Sequence, residues 1–96
     1  MTVKEKLAAH RQEILRLAAR HGAKNLRIFG SIARGEERAD SDVDFLVELE
    51  PGKTLFDLGG LQADLEETLG CHVDIVTEKG LRSRIHERVL REAVGF

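Results

Sequence analysis

Between residues 43 and 49 the chain alternates without a break: Val43, Phe45, Val47 and Leu49 fall on one side and Asp44 and Glu48 on the other, with Asp42 preceding them in phase. Side chains two apart on a strand share a face, so the segment predicts a half-buried strand with acids on its open face. The period changes elsewhere. Val3, Leu7, Ile14, Leu17 and Ala18 recur at helical spacing, with Thr2 and Glu5 forming a capping box and Gly22 offering a stop, which predicts a helix over about 3–21. Leu26 and Ile28 alternate with Arg27 and Phe29 and predict a short strand over 25–29, running into a turn at Gly30 and Ser31, with residues 31–34 forming one helical turn. Pro51 and Gly52 break the acid-bearing strand. Thr54 and Asp57 then cap a helix with the stripe Leu55, Leu58, Leu61, Leu65 and Leu69, ended by Gly70; the Gly59-Gly60 pair weakens it internally. His72 to Val76 reads as a third strand, and Leu81, Ile85, Val89 and Ala93 as a last helix ending near Val94.

This order predicts an α/β (α+β) fold: a small mixed sheet of about three to four strands, helices on its apolar face, the other face left for chemistry. At 96 residues the expectation is a single domain, 1–96, too short for a separate substrate-recognition domain, so a bulky acceptor must come with another molecule. A net charge of −2 with scattered basic residues disfavours nucleic acid as a direct ligand. The lone Cys71 reads as a small buried residue and forms no intramolecular disulfide. No apolar run reaches membrane-spanning or signal-peptide length, and the cytoplasm is the expected location. His10, His21, His72 and His86 lack the paired spacing of a zinc site, so oxygen ligands and magnesium fit better.

The chemistry concentrates between Gly30 and Asp44. Gly30 frees the backbone for a tight turn, and Ser31 adds a hydroxyl and N–H groups suited to phosphate oxygens. Arg34 can add a fixed positive charge. Asp42 and Asp44 place carboxylates on one strand face with α-carbons about 7 Å apart. Asp74, flanked by core-type Val73 and Ile75, should join them if the strands pair in register. Carboxylates 5 to 7 Å apart repel by roughly 2 to 3 kcal/mol at an effective dielectric near 20, which divalent cations relieve. Two magnesium ions so held suit an in-line displacement on a nucleoside triphosphate. Asp74 is the candidate ligand of the second ion and acceptor of the attacking hydroxyl's proton. Taken singly, each feature has a plain structural explanation, Arg34 as a surface arginine and His72 as an exposed strand residue; their co-occurrence in one short segment favours a site.

The run Gly-Ser-x-Ala-Arg-Gly at 30–35, followed by Ser-Asp-x-Asp at 41–44 and Val-Asp-Ile-Val around Asp74, resembles the minimal nucleotidyltransferases of the DNA polymerase beta-like superfamily over nearly the whole chain. The resemblance implies a nucleotidyltransferase fold, magnesium on Asp42, Asp44 and Asp74, and a triphosphate held at Gly30 and Ser31, with Arg34 and Ser41 in the nucleotide-binding set. It also implies ATP as the substrate, a HEPN-domain toxin as the partner, and antitoxin action by transfer of AMP to a tyrosine of that toxin. The alternatives are an antitoxin that occludes its partner with an idle nucleotide site, and a small-molecule nucleotidyltransferase, which the missing second domain weakens. Base preference and the choice between homodimer and hetero-oligomer stay open.

Overall fold

The computed structural model describes residues 2–36, 42–80 and 83–96, with the side chains of 83–86 outside that description. Two short helices, α1 (Val3–Ala9) and α2 (Arg11–Arg20), precede β1 (Ala23–Phe29). β2 (Val43–Leu49), α3 (Leu55–Leu69), β3 (Val73–Thr77), a single 3-10 turn, α4 (Ser83–Glu92) and β4 (Val94–Gly95) follow. The four strands form one mixed sheet in the order β3-β2-β1-β4. β1 is antiparallel to β2 and β4, and β2 runs parallel to β3, as a strand–helix–strand crossover through α3 requires.

The core lies between the helices and the predicted apolar face. Val43, Phe45, Val47 and Val73 are fully buried and join Ile14, Ala18, Leu61 and Leu65 in one cluster. Both capping boxes form: Thr2 with Glu5 and Thr54 with Asp57, each Thr side chain accepting from the first helical turn while the acid accepts from the Thr N–H. These hydrogen bonds hold the Glu5 and Asp57 carboxyls below their ordinary pKa.

The helix expected over 3–21 is two helices broken at His10, which caps both. Residues 8–13 contribute no buried side chain, so no packing enforces a straight continuation between Leu7 and Ile14. β1 begins two residues earlier than its alternation suggests. A register shift between Lys24 and Arg27 hides the start, with Asn25 at φ 51, a left-handed conformation that Asn tolerates better than most residues. α3 runs unbroken through Gly59 and Gly60. A Cβ at Gly60 would stand 2.9 Å from the His21 ring, whose Nε2 lies 2.7 Å from Asp64 on the same helix, so this glycine lets α2 and α3 meet. Leu55, expected in the stripe, is 80% exposed; burial begins one turn later at Leu58. Leu81 lies outside the described residues, α4 ends at Glu92, and Val94 belongs to β4, which the sequence did not reveal.

Leu46 refines the picture of the second face. It follows Asp44 on that side of β2 and is fully buried, and Val89 of α4 is buried as well, although neither belongs to the main core cluster. The second face is therefore covered at Leu46, with Asp42 and Asp44 toward the start of β2 and the partly exposed Glu48 toward its end.

Candidate active site

The register of the parallel pair decides the site. Asp44 pairs with Asp74 across β2 and β3, and Phe29, the last residue of β1, pairs with Asp44 from the other side. The end of β1, where the Gly30 turn begins, is thereby brought against the acids. Gly30 has φ +77, and a Cβ there would collide with the Asp44 carboxylate. Both features require glycine at this position. Within the turn the Gly30 carbonyl accepts from the Arg34 N–H at 3.1 Å and the Ser31 carbonyl from the Glu36 N–H at 2.9 Å. Ile32, 1% exposed, plugs the turn into the core.

Donor atoms of Asp42, His72 and Asp74 come within 4.8 Å of one another on the exposed rim. Asp44 is not one of these three, because its carboxylate turns toward Gly30. It bridges the turn and the acid cluster instead. Burial, then the charges of Asp74 and Asp42, push its carboxyl above the ordinary value, while His72 and Arg34 pull in the opposite direction. The oxygen donors of Asp42, Asp44 and Asp74 are of the kind a hard divalent ion takes.

Arg34 sits on the turn with its Nε on Glu36 at 3.0 Å and its Nη1 on Glu92 at 3.1 Å. Ser41 lies outside the described residues. His72, set aside from sequence as a strand histidine, belongs to the cluster: its Nε2 lies 3.1 Å from Asp74 and its Nδ1 2.9 Å from Glu66. The Asp74 charge, with Glu66 adding to it, raises the imidazole's pKa. Sequence reasoning missed Glu66 entirely. It stands in the last turns of α3; the chain reverses at Gly70, whose N–H bonds the Glu66 carbonyl and whose φ is +67, and this carries His72 and Val73 back beneath the Glu66 carboxylate. The available signal was an acid four residues before a helix-ending glycine with a histidine two residues after it. Cys71, expected to be buried, is half-buried against the core.

The rim is open. Asp74 and His72 expose about half of their side chains, at 52% and 51%. A cleft of about 600 Å³ lined by residues including Lys24, Glu48, Lys53 and Lys79 lies apart from the acid cluster.

Carboxylates massed beside an anion-accepting turn suit phosphoryl and nucleotidyl transfer more than any other chemistry. The family described as nucleotidyltransferase domain matches residues 7–95, and this chain belongs to it, an enzyme of that class. Protein adenylyltransferase MntA of Thermococcus cleftensis is 43% identical over 88 residues, spanning 92% of this chain and 86% of the relative. The solved structure of a candidate minimal nucleotidyltransferase superposes with a TM-score of 0.87 at 53% identity, covering 100% of this chain and 97% of that one. A toxin–antitoxin structure with AMP-PNP shares the fold, with a TM-score of 0.75 at 20% identity over 88% of this chain and 69% of that one.

Proposed function

We propose that the chain, acting as one domain over 1–96, transfers AMP from ATP to a tyrosine hydroxyl of a HEPN-class toxin and thereby serves as its antitoxin. The observation that carries this reading is the Asp44–Asp74 register beside the Gly30 turn. Asp42, Asp44 and Asp74 would hold two magnesium ions, which when bound neutralise the triphosphate and make its α-phosphorus electrophilic. Gly30 and Ser31 take the phosphates, with Ser41 and Arg34 assisting. The tyrosine oxygen attacks the α-phosphorus, the bond to the β-phosphate oxygen breaks, and pyrophosphate leaves. Asp74, half exposed at the rim, accepts the hydroxyl proton. An open rim suits an acceptor residue on a protein surface, and the relatives named as a protein adenylyltransferase and as a toxin–antitoxin pair support the same acceptor class. The cytoplasm, which supplies ATP and magnesium, is the proposed place of action. No described helix is long and apolar enough to cross a membrane.

Occlusion of the toxin without transfer is favoured by one feature: Leu55 and Phe56, 80% and 93% exposed, give α3 an apolar tip that the chemistry does not use. Incubating the chain with magnesium, ATP and a HEPN-class toxin, and following the toxin's intact mass, separates the two. Transfer predicts gain of whole AMP units, lost in the Asp42→Ala/Asp44→Ala double variant and in Asp74→Asn, with nucleotide binding retained in the latter. An unmodified toxin that is nonetheless silenced in a tight complex contradicts transfer and establishes occlusion.

A further inference from the structure

Glu66 Oε2 accepts from both the His72 Nδ1–H, at 2.9 Å, and the Val73 N–H, at 3.1 Å. Two donors on one oxygen fix this carboxylate, and the carboxylate in turn fixes the imidazole with Nδ1 protonated. The lone pair of a neutral imidazole is then on Nε2, which faces Asp74 Oδ1 at 3.1 Å. In the metal-free chain an Nε2 proton bridges the two as a hydrogen bond, and a cation bound there takes that proton's place. Asp42 completes the set, with donor atoms of all three residues within 4.8 Å of one another. Donors bound at about 2.1 Å to one ion stand roughly 3 to 4.2 Å apart, so only a small closure of the three is needed.

We propose that His72 is a nitrogen ligand of a divalent cation shared with Asp42 and Asp74, that Glu66 orients it as the outer carboxylate of a carboxylate–histidine–metal unit, and that the site consequently prefers ions such as Mn2+ and Co2+ to Mg2+. This deepens the reading of the acid face as a metal–nucleotide site and rests on it. Imidazole nitrogen binds first-row transition ions far better than it binds Mg2+, whereas carboxylates serve both. An outer carboxylate sharpens the effect by holding the ring's orientation and making Nε2 more basic. In a merely structural role His72 would add nothing to the carboxylates' own, smaller preference among divalent ions.

The test is calorimetric titration of the nucleotide-free full chain with Mg2+, Mn2+ and Co2+, for the wild type, His72→Asn, Glu66→Gln and the Asp42→Ala/Asp44→Ala double variant, with circular dichroism confirming that each is folded. The wild type should bind Co2+ at least about tenfold more tightly than Mg2+. His72→Asn should cut most of that preference while changing Mg2+ affinity by less than about twofold, and Glu66→Gln should weaken Co2+ binding roughly tenfold. Proton NMR of the Co2+ form should show a strongly shifted exchangeable imidazole N–H signal that is absent from His72→Asn. If His72→Asn keeps the preference, or that signal persists in it, the proposal is overturned. The underlying metal site still stands in that case provided the double aspartate variant loses binding of all three ions; if that variant also binds them unchanged, the acid-face reading falls too.

Discussion

The two faces of β2 are built from alternate residues of one heptapeptide and have opposite energetics. Toward the helices, Val43, Phe45 and Val47 are each completely buried. Burying a side chain the size of Phe45 contributes about 1.5–3 kcal/mol, and the edge-on contact between its ring and Phe96, with centroids 5.8 Å apart, adds to it. On the other face burial and then the charges of Asp74 and Asp42 raise the Asp44 pKa, which marks a charge that the metal-free fold holds at a cost. One face stabilises the strand and the other uses that stability to hold like charges together. Substitutions on the two faces should therefore separate folding from ligand binding.

Phe45→Ala should have the largest effect on folding, about 3–5 kcal/mol lost in urea denaturation, because the ring is fully buried in the core. An equal loss from an acid-face substitution would erase the distinction between the faces. Gly30→Ala comes next. The left-handed φ costs about 1–2 kcal/mol, and the added methyl displaces the Asp44 carboxylate, so ATP affinity should fall at least about tenfold, the equivalent of 1.4 kcal/mol. Nucleotide titration checks this, and unchanged affinity would detach the turn from the site.

Asp44→Asn should move stability and activity in opposite directions. A carboxyl whose folded pKa is raised contributes stability that is present below its ordinary value of 3.8 and is lost as pH rises through the folded value. Relative to the Asn variant, the metal-free wild type should accordingly lose stability across that window. Solvent screens a half-buried group, so the variant's advantage at neutral pH should be no more than about 1 kcal/mol. Thermal melts from pH 3 to 8 would show the gap opening with pH and closing when magnesium is added. The smallest effect is Thr54→Ala, which removes a helix cap remote from the acids and should cost about 1 kcal/mol with transfer rates unchanged.

Alternation is also why the acid face was legible in the sequence. The pattern from Val43 to Leu49 assigns each side chain to a face, and the matching pattern around Asp74 left only the register open. Capping boxes and Gly70 were legible because they are local. What could not be read depends on contacts between distant residues. The break at His10 reflects where packing is absent, β4 is two residues long and exists only because β1 offers an edge, and Leu46 is buried on a face whose pattern alone does not tell how far the cover extends. Glu66 looks like any solvated helix acid until the reversal at Gly70 brings His72 to it.

The most direct test of the central claim, that the acid face and the Gly30 turn form one metal–nucleotide site, is a thermal shift with ATP in the presence and absence of magnesium. ATP and magnesium together should raise the melting temperature of the wild type well beyond either alone, and the gain should vanish in the Asp42→Ala/Asp44→Ala double variant. An equal gain in that variant, or a full gain from ATP without any divalent ion, would contradict the account.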